Sequence, residues 1–229
     1  MKISTVIPTY NRLTFLIRAI NSVLNQSVKV DELIVVDNGS NDGTKEYINN
    51  NFQEITFITC FDRGVSFARN LGIKRAKSDW IALLDSDDEW KENKVEYLKL
   101  HLKENNQKAK ILHSNEVWLL NGKFINQKKK HEKKEGYIFK DCLKMCSISP
   151  SSVIIKKEIF EKYGYFDEGL EVCEDYDLWL RISSKEEIGY IDEKLVVKHG
   201  GHRDQLSKRF WGMDRFRIRA LLSLAKTVP

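Results

Sequence analysis

Residues 80–89 read Trp80-Ile81-Ala82-Leu83-Leu84-Asp85-Ser86-Asp87-Asp88-Glu89: five apolar residues pass directly into five polar ones, four of them acidic. A short apolar run suits a strand buried on both faces, and the abrupt polar turn suits its exit from a sheet edge. The pattern occurs three times upstream. Ile3-Ser4-Thr5-Val6-Ile7 runs into Pro8-Thr9-Tyr10-Asn11-Arg12, Glu32-Leu33-Ile34-Val35-Val36 into Asp37-Asn38-Gly39-Ser40, and Ile55-Thr56-Phe57-Ile58-Thr59 is followed by Asp62-Arg63-Gly64. Between the first two, Leu13, Leu16, Ile17, Ile20 and Leu24 recur at helical spacing, as do Val95, Leu98 and Leu102 after the fourth. Strands alternating with helices predict an α/β layer structure. If the strands are parallel, all four polar clusters lie on one edge, where open α/β sheets bind ligands.

In the second half, 110–118 and 152–155 read as strands, 128–135 as a charged loop, and 174–183 and 206–225 as helices. No repeat or Pro/Gly-rich linker divides the chain. With 229 residues, 41% hydrophobic and 31% charged, the composition fits a globular domain and excludes disorder as the main state. The 38 Lys+Arg against 33 Asp+Glu give +5, which favours acidic partners such as phosphates or anionic lipid. Cys60, Cys142, Cys146 and Cys173 include no CxxC pair and are expected to be reduced, mostly buried thiols. Only Met1-Lys2 precedes the first apolar stretch, which is too short for a signal-peptide core, and no run of about 20 apolar residues occurs, so a soluble cytoplasmic protein is expected. The Lys128-Lys129-Lys130 and Lys133-Lys134 runs lack interleaved aromatics and read as a solvated loop, not a nucleic-acid site.

Chemistry concentrates at residues 85–89. Asp85, Asp87 and Asp88 repel one another and raise one another's pKa unless a cation sits between them. A divalent ion is the simplest answer, and Mg²⁺ or Mn²⁺, which completes its shell with phosphate oxygens, suits a nucleoside diphosphate. The first glycine is Gly39, so neither a dinucleotide fingerprint nor a Walker loop follows the first strand, and Trp90 stands where an EF-hand loop starting at Asp85 needs glycine. An Asp85 phosphatase-type nucleophile would leave the other clusters unexplained.

Taken in order, five segments resemble the inverting family-2 glycosyltransferases of the GT-A fold: 6–12, 35–40, Gly64-Val65-Ser66-Phe67-Ala68-Arg69-Asn70-Leu71-Gly72, the DxD-like Leu84-Asp85-Ser86-Asp87-Asp88, and Glu174-Asp175-Tyr176-Asp177-Leu178-Trp179-Leu180-Arg181. The resemblance implies a mixed, mostly parallel sheet flanked by helices. It implies a catalytic domain over 1–206, with a nucleotide-binding half over about 1–105 and an acceptor half over 106–206, followed by a basic amphipathic helix over 207–229. Pro8 and Tyr10 would flank the base, Asp37 and Asn38 read its edge, and Arg69, Asp85 and Ser86 belong to the donor site. Asp87 would ligate Mn²⁺ or Mg²⁺, with His199, favoured over His202, completing the shell from a flexible segment over 198–203. Asp175 would be the general base that takes the acceptor hydroxyl proton, kept ionised at a helix N-terminus. Asp177 and Arg181 read as an i,i+4 pair, and Trp179 either walls the acceptor pocket or belongs to the core.

The implied reaction moves a sugar from a UDP- or dTDP-sugar to a glycan or lipid-linked acceptor, in cell-surface polysaccharide synthesis. Two rivals stand beside it: a sugar nucleotidyltransferase, which would need a glycine-rich basic loop after the first strand, and a nucleotide-sugar-binding module without catalysis. In the C-terminal helix, Ile218, Leu221, Leu222 and Ala225 form an apolar stripe flanked by cations that include Lys208, Arg209, Arg215, Arg219 and Lys226. That stripe packs on the domain, pairs with a second copy, or lies on the inner face of the cell membrane.

Overall fold

A computed structural model describes residues 1–104, 108–202 and 210–227. The first four strands are β1 (Ile3–Thr9), β2 (Glu32–Asp37), β3 (Thr56–Thr59) and β4 (Trp80–Leu83). They lie parallel in the order β3-β2-β1-β4. Each is rich in β-branched or apolar residues because helices cover both faces of the sheet. Ile3, Ile7, Val35, Ala82 and Leu84 face one core, with Leu16, Ala19, Ile20 and Val23 of α1 (Leu13–Leu24), Ile48 of α2 (Thr44–Asn51), and Val95, Leu98 and Leu102 of α4 (Lys94–Glu104). Val6, Ile34, Val36, Ile81 and Leu83 face the other, under α3 (Val65–Arg75). Gly72 sets how close α3 comes: a Cβ there would fall 2.4 Å from Cγ1 of Val6.

The second half continues the same sheet. β8 (Val153–Lys156) pairs antiparallel with β4, and β6 (Ile111–Leu120) pairs antiparallel with β8. β9 (Gly189–Gly200) then runs parallel to β6, and β5 (Glu89–Trp90) closes the edge. β7 (Lys123–Ile125) forms a hairpin with β6. Three further helices, α5 (Phe139–Lys144), α6 (Lys157–Tyr163) and α7 (Glu174–Ser183), pack on the α3 side. α8 (Asp214–Thr227) lies on α7.

Six expectations change. β1 runs through Pro8 and Thr9, and β3 starts at Thr56. Residues 198–200, expected in a flexible segment, are the end of β9, paired with Trp118, Leu119 and Leu120 of β6. Arg203 of that segment lies outside the described residues. Lys133 is not solvated: its side chain is 5% exposed and its ammonium lies 3.3 Å from the buried Glu116 carboxylate. The C-terminal helix starts at Asp214, after Gly212 takes a left-handed φ of 69°, which interrupts a helix before it. Its expected start at 206, the boundary between 206 and 207, and Lys208 and Arg209 lie outside the described residues. Its buried face is Phe216, Ala220 and Leu224, with Leu221 half-buried beside them, while Ile218 and Leu222 of the expected stripe point outward.

Candidate active site

The parallel strands end level: Thr9 pairs with Asp37, and Asp37 with Thr59. The sheet order reverses at β1, so a crevice opens between the exits of β1 and β4. Tyr10, 48% exposed, stands at its mouth, while Pro8 is buried within β1 opposite Val36. Asp37 is buried, and both its oxygens accept from the Ser40 backbone N–H; burial raises its pKa. Asn38 accepts from the Gly64 N–H at 2.8 Å and donates to the carbonyls of Cys60 and Asp62. Asp37 thus holds its own loop, while Asn38 ties the exit of β2 to that of β3.

Each acid after β4 has its own cation. Asp85 Oδ1 accepts from Arg69 Nη2 at 2.6 Å, and its N–H donates to Ser151 Oγ at 3.1 Å. Ser86 beside it is buried. Asp87 Oδ2 lies 2.9 Å from Arg12 Nη1 and 2.9 Å from His202 Nε2, and Arg18 donates to its carbonyl. Burial pushes the Asp87 pKa up, but His202 and Arg12 outweigh it and hold the group at about 2. Asp88 is 2% exposed; it accepts from Ser151 Oγ at 2.6 Å and the His199 N–H at 3.1 Å, with Lys198 Nζ 3.5 Å away. Burial lifts its pKa to about 7. The crowding legible in the sequence is therefore answered by Arg12 just before α1, Arg69 of α3, Lys198 of β9 and His202 just after β9.

His202, not His199, reaches Asp87; the His199 ring lies 3.2 Å from Glu89 Oε1 instead. Among the described residues no three His, Cys, Asp or Glu side chains converge as a ready metal cage. Asp87 and His202 do offer one carboxylate oxygen and one imidazole nitrogen side by side. That donor set fits an ion that fills its other positions with phosphate oxygens and water.

Arg69 joins the two halves of the site. Its side chain is 4% exposed, and while Nη2 holds Asp85, Nη1 donates to Glu174 Oε1 at 2.6 Å. Arg69 is thus enclosed between two carboxylates instead of open to a donor. Burial raises the Glu174 pKa to about 7 even against Arg69. Cys173, at a left-handed φ of 63°, turns the chain into α7 so that Glu174 points inward and Asp175 is left half-buried beside it. Asp175 Oδ1 accepts from the Tyr176 N–H at 2.7 Å, and Oδ2 from the Cys146 thiol at 3.3 Å. Desolvation of its sulfur and the adjacent Asp175 carboxylate push the Cys146 thiol well up, so it remains a donor, although the residue as a whole is exposed. Among the four free cysteines Cys60 and Cys142 are buried and Cys146 is exposed. The expected Asp177–Arg181 pair forms at 2.8 Å, and Trp179 is fully buried, edge-on to Phe166, so it belongs to the core.

Sequence reading passed over Arg18 and gave no role of their own to Arg12, Lys198 and Glu174, although the segments that hold them were singled out. The helical phase of α1 was the available signal for Arg18.

The sheet order, the helices on both faces and the acidic exit of β4 define a GT-A-type α/β fold. The structure superimposes on that of S. aureus TarS 1-349 solved in complex with UDP-GlcNAc with a TM-score of 0.76, at 20% identity, over 94% of this chain and 63% of that one. The sequence matches glycosyl transferase family 2 over residues 4–164, and the chain belongs to that family. An uncharacterized glycosyltransferase of Rickettsia felis is 34% identical over 202 residues, 85% of this chain. The chain spans about a third of that relative's length, 32%. A UDP-Glc:alpha-D-GlcNAc-diphosphoundecaprenol beta-1,3-glucosyltransferase of Escherichia coli is 29% identical over 83% of this chain and 73% of its own. No glycine-rich loop follows β1, so the feature a nucleotidyltransferase would need is missing.

Proposed function

We propose that the chain is an inverting glycosyltransferase of cell-surface glycan synthesis that moves a sugar from a UDP-sugar, or a dTDP-sugar, to a hydroxyl of a glycan or lipid-linked acceptor. The Arg69 bridge carries this reading. It ties the β4 exit, where a donor diphosphate would lie, to Glu174, the first residue of α7 and the neighbour of Asp175. The S. aureus structure holding UDP-GlcNAc and the diphosphoundecaprenol acceptor in the E. coli relative's name support the donor and acceptor classes.

In this reaction the acceptor oxygen bonds to the anomeric carbon as the bond to the diphosphate breaks on the opposite face. Asp175 takes the hydroxyl proton, and the lone pairs left on its two oxygens, each already fixed by one donor, are aimed by Tyr176 N–H and Cys146. Tyr10 offers an exposed ring for the base. Arg12 and Lys198 add positive charge where the diphosphate leaves. Asp87 and His202 would hold Mn²⁺ or Mg²⁺, which supplies Lewis-acid neutralisation of the leaving group.

Thermal shift with UDP and dTDP, with and without Mn²⁺, tests the donor side. A ligand that binds only the folded state raises the midpoint by mass action. Absence of any shift with either nucleotide would reject the donor assignment.

A further inference from the structure

One face of α8 is unaccounted for by the site or the fold. Successive residues of a helix advance by about 100°, so Arg215, Ile218, Arg219, Leu222 and Lys226 fall within an arc of about 100°. That strip lies opposite Phe216, Ala220 and Leu224, which pack inward. Ile218 is 55% and Leu222 60% exposed, and the three cations around them are exposed as well. Among the described residues this helix forms an ion pair between Arg217 and Asp214, on a different side. Trp211, just before the helix, is 88% exposed. The helix is anchored beside the acceptor end of the crevice: Arg217 donates to the Lys144 carbonyl at 2.6 Å and lies 5.0 Å over the Tyr176 ring, next to Asp175.

We propose that this outward face seats the protein on an anionic bilayer. Aliphatic side chains ringed by Arg and Lys, with an indole at the end, match a surface of negative headgroups over a hydrocarbon boundary. A second copy of the chain is the poorer occupant. A two-fold contact would set Arg215, Arg219 and Lys226 against the same three cations, and two aliphatic side chains fall far short of the roughly 800 Å² per partner of a stable interface. The surface stands on its own geometry; that it delivers a lipid-linked acceptor to Asp175 rests on the transfer reading above.

Co-sedimentation of the full chain with vesicles tests it. Binding is expected to phosphatidylglycerol-containing vesicles, to weaken with salt, and to be far weaker on pure phosphatidylcholine. Each cation near such a surface adds roughly five-fold in partitioning, so Arg215→Gln with Arg219→Gln and Lys226→Gln should lower binding on the order of 10²-fold. Ile218→Ser with Leu222→Ser should lower it roughly ten-fold or more. Lys128→Gln with Lys129→Gln and Lys130→Gln, which removes equal charge elsewhere, should leave binding in place. All the altered residues are exposed, so an unchanged melting midpoint is expected throughout. Equal binding to both vesicles, an equal loss in the 128–130 variant, undiminished binding by the α8 variants, or a dimer that those variants dissolve would overturn the proposal. Vesicle binding is read without substrates, so its failure leaves the transfer reading untouched.

Discussion

Two clusters of charge sit only a few residues apart in the sheet, and they are built differently. At the β4 exit Asp85, Asp87 and Asp88 draw cations from separate elements, and the cluster stays open toward the crevice. Around β6 the charges are closed in. Lys94, fully buried, donates to the Ser152 carbonyl at 3.1 Å and lies over the Trp90 ring. His113 meets the Lys134 carbonyl at 2.8 Å, and burial pushes its pKa down to about 3. Glu116 is 2% exposed between Lys133 and the Trp118 indole N–H. A closed charge cluster serves the fold, whereas one left open on one side can exchange its protein partners for a ligand.

The comparison predicts that changes at the open cluster cost turnover and changes at the closed one cost stability. The largest effect is expected for Asp175→Asn, with sugar transfer falling by about 10²–10⁴-fold while the melting midpoint holds. Product formation within a few-fold of the parent protein would make Asp175 a helix-end residue and reject it as the general base. Next comes Glu116→Ala, which strands the buried Lys133 ammonium; unfolding in urea should show a loss of about 3–5 kcal/mol, with turnover per folded molecule retained. Asp87→Ala should weaken nucleoside diphosphate binding about ten-fold or more and remove its dependence on Mn²⁺, as read by calorimetry. Undiminished metal-dependent binding would reject Asp87 as a ligand.

The smallest effect concerns Lys94, whose pKa burial lowers from 10.5 to about 7. Between those values the unfolded chain binds the proton that the folded chain has lost. Stability therefore rises with pH across that window, by at most about 1.4 kcal/mol per pH unit. Lys94→Met should flatten that slope in urea titrations at pH 7 and 9. An unchanged slope would show that Lys94 stays charged in its pocket.

The first four strands and α7 were legible because their signals are local. Ile34-Val35-Val36, short, β-branched and followed by polar turn residues, reads as a two-sided buried strand, and α7 pairs an acidic first turn with apolar spacing. β9 was hidden by Asp192-Glu193-Lys194, which bulge where the β6 register shifts and so mask the alternation on either side. The open cluster was half legible. Asp85 and Asp87 announce themselves, but Glu174 meets Arg69 across 105 positions of sequence, a contact no local pattern encodes. Lys133 looked like one more solvated lysine because its partner Glu116 lies on β6, outside the lysine-rich loop.

Arg69 also bears on how this scaffold can be re-engineered. Swapping the acceptor half for that of a relative is the obvious route to a new specificity, yet the guanidinium belongs to both halves at once. A chimera lacking an acid at position 174 would keep Arg69 buried with Asp85 as its remaining carboxylate and Nη1 without its acceptor, and α7 would lose the tie that sets its first turn against the β4 exit. Any such graft therefore has to carry positions 69, 85 and 174 together, as one inherited unit.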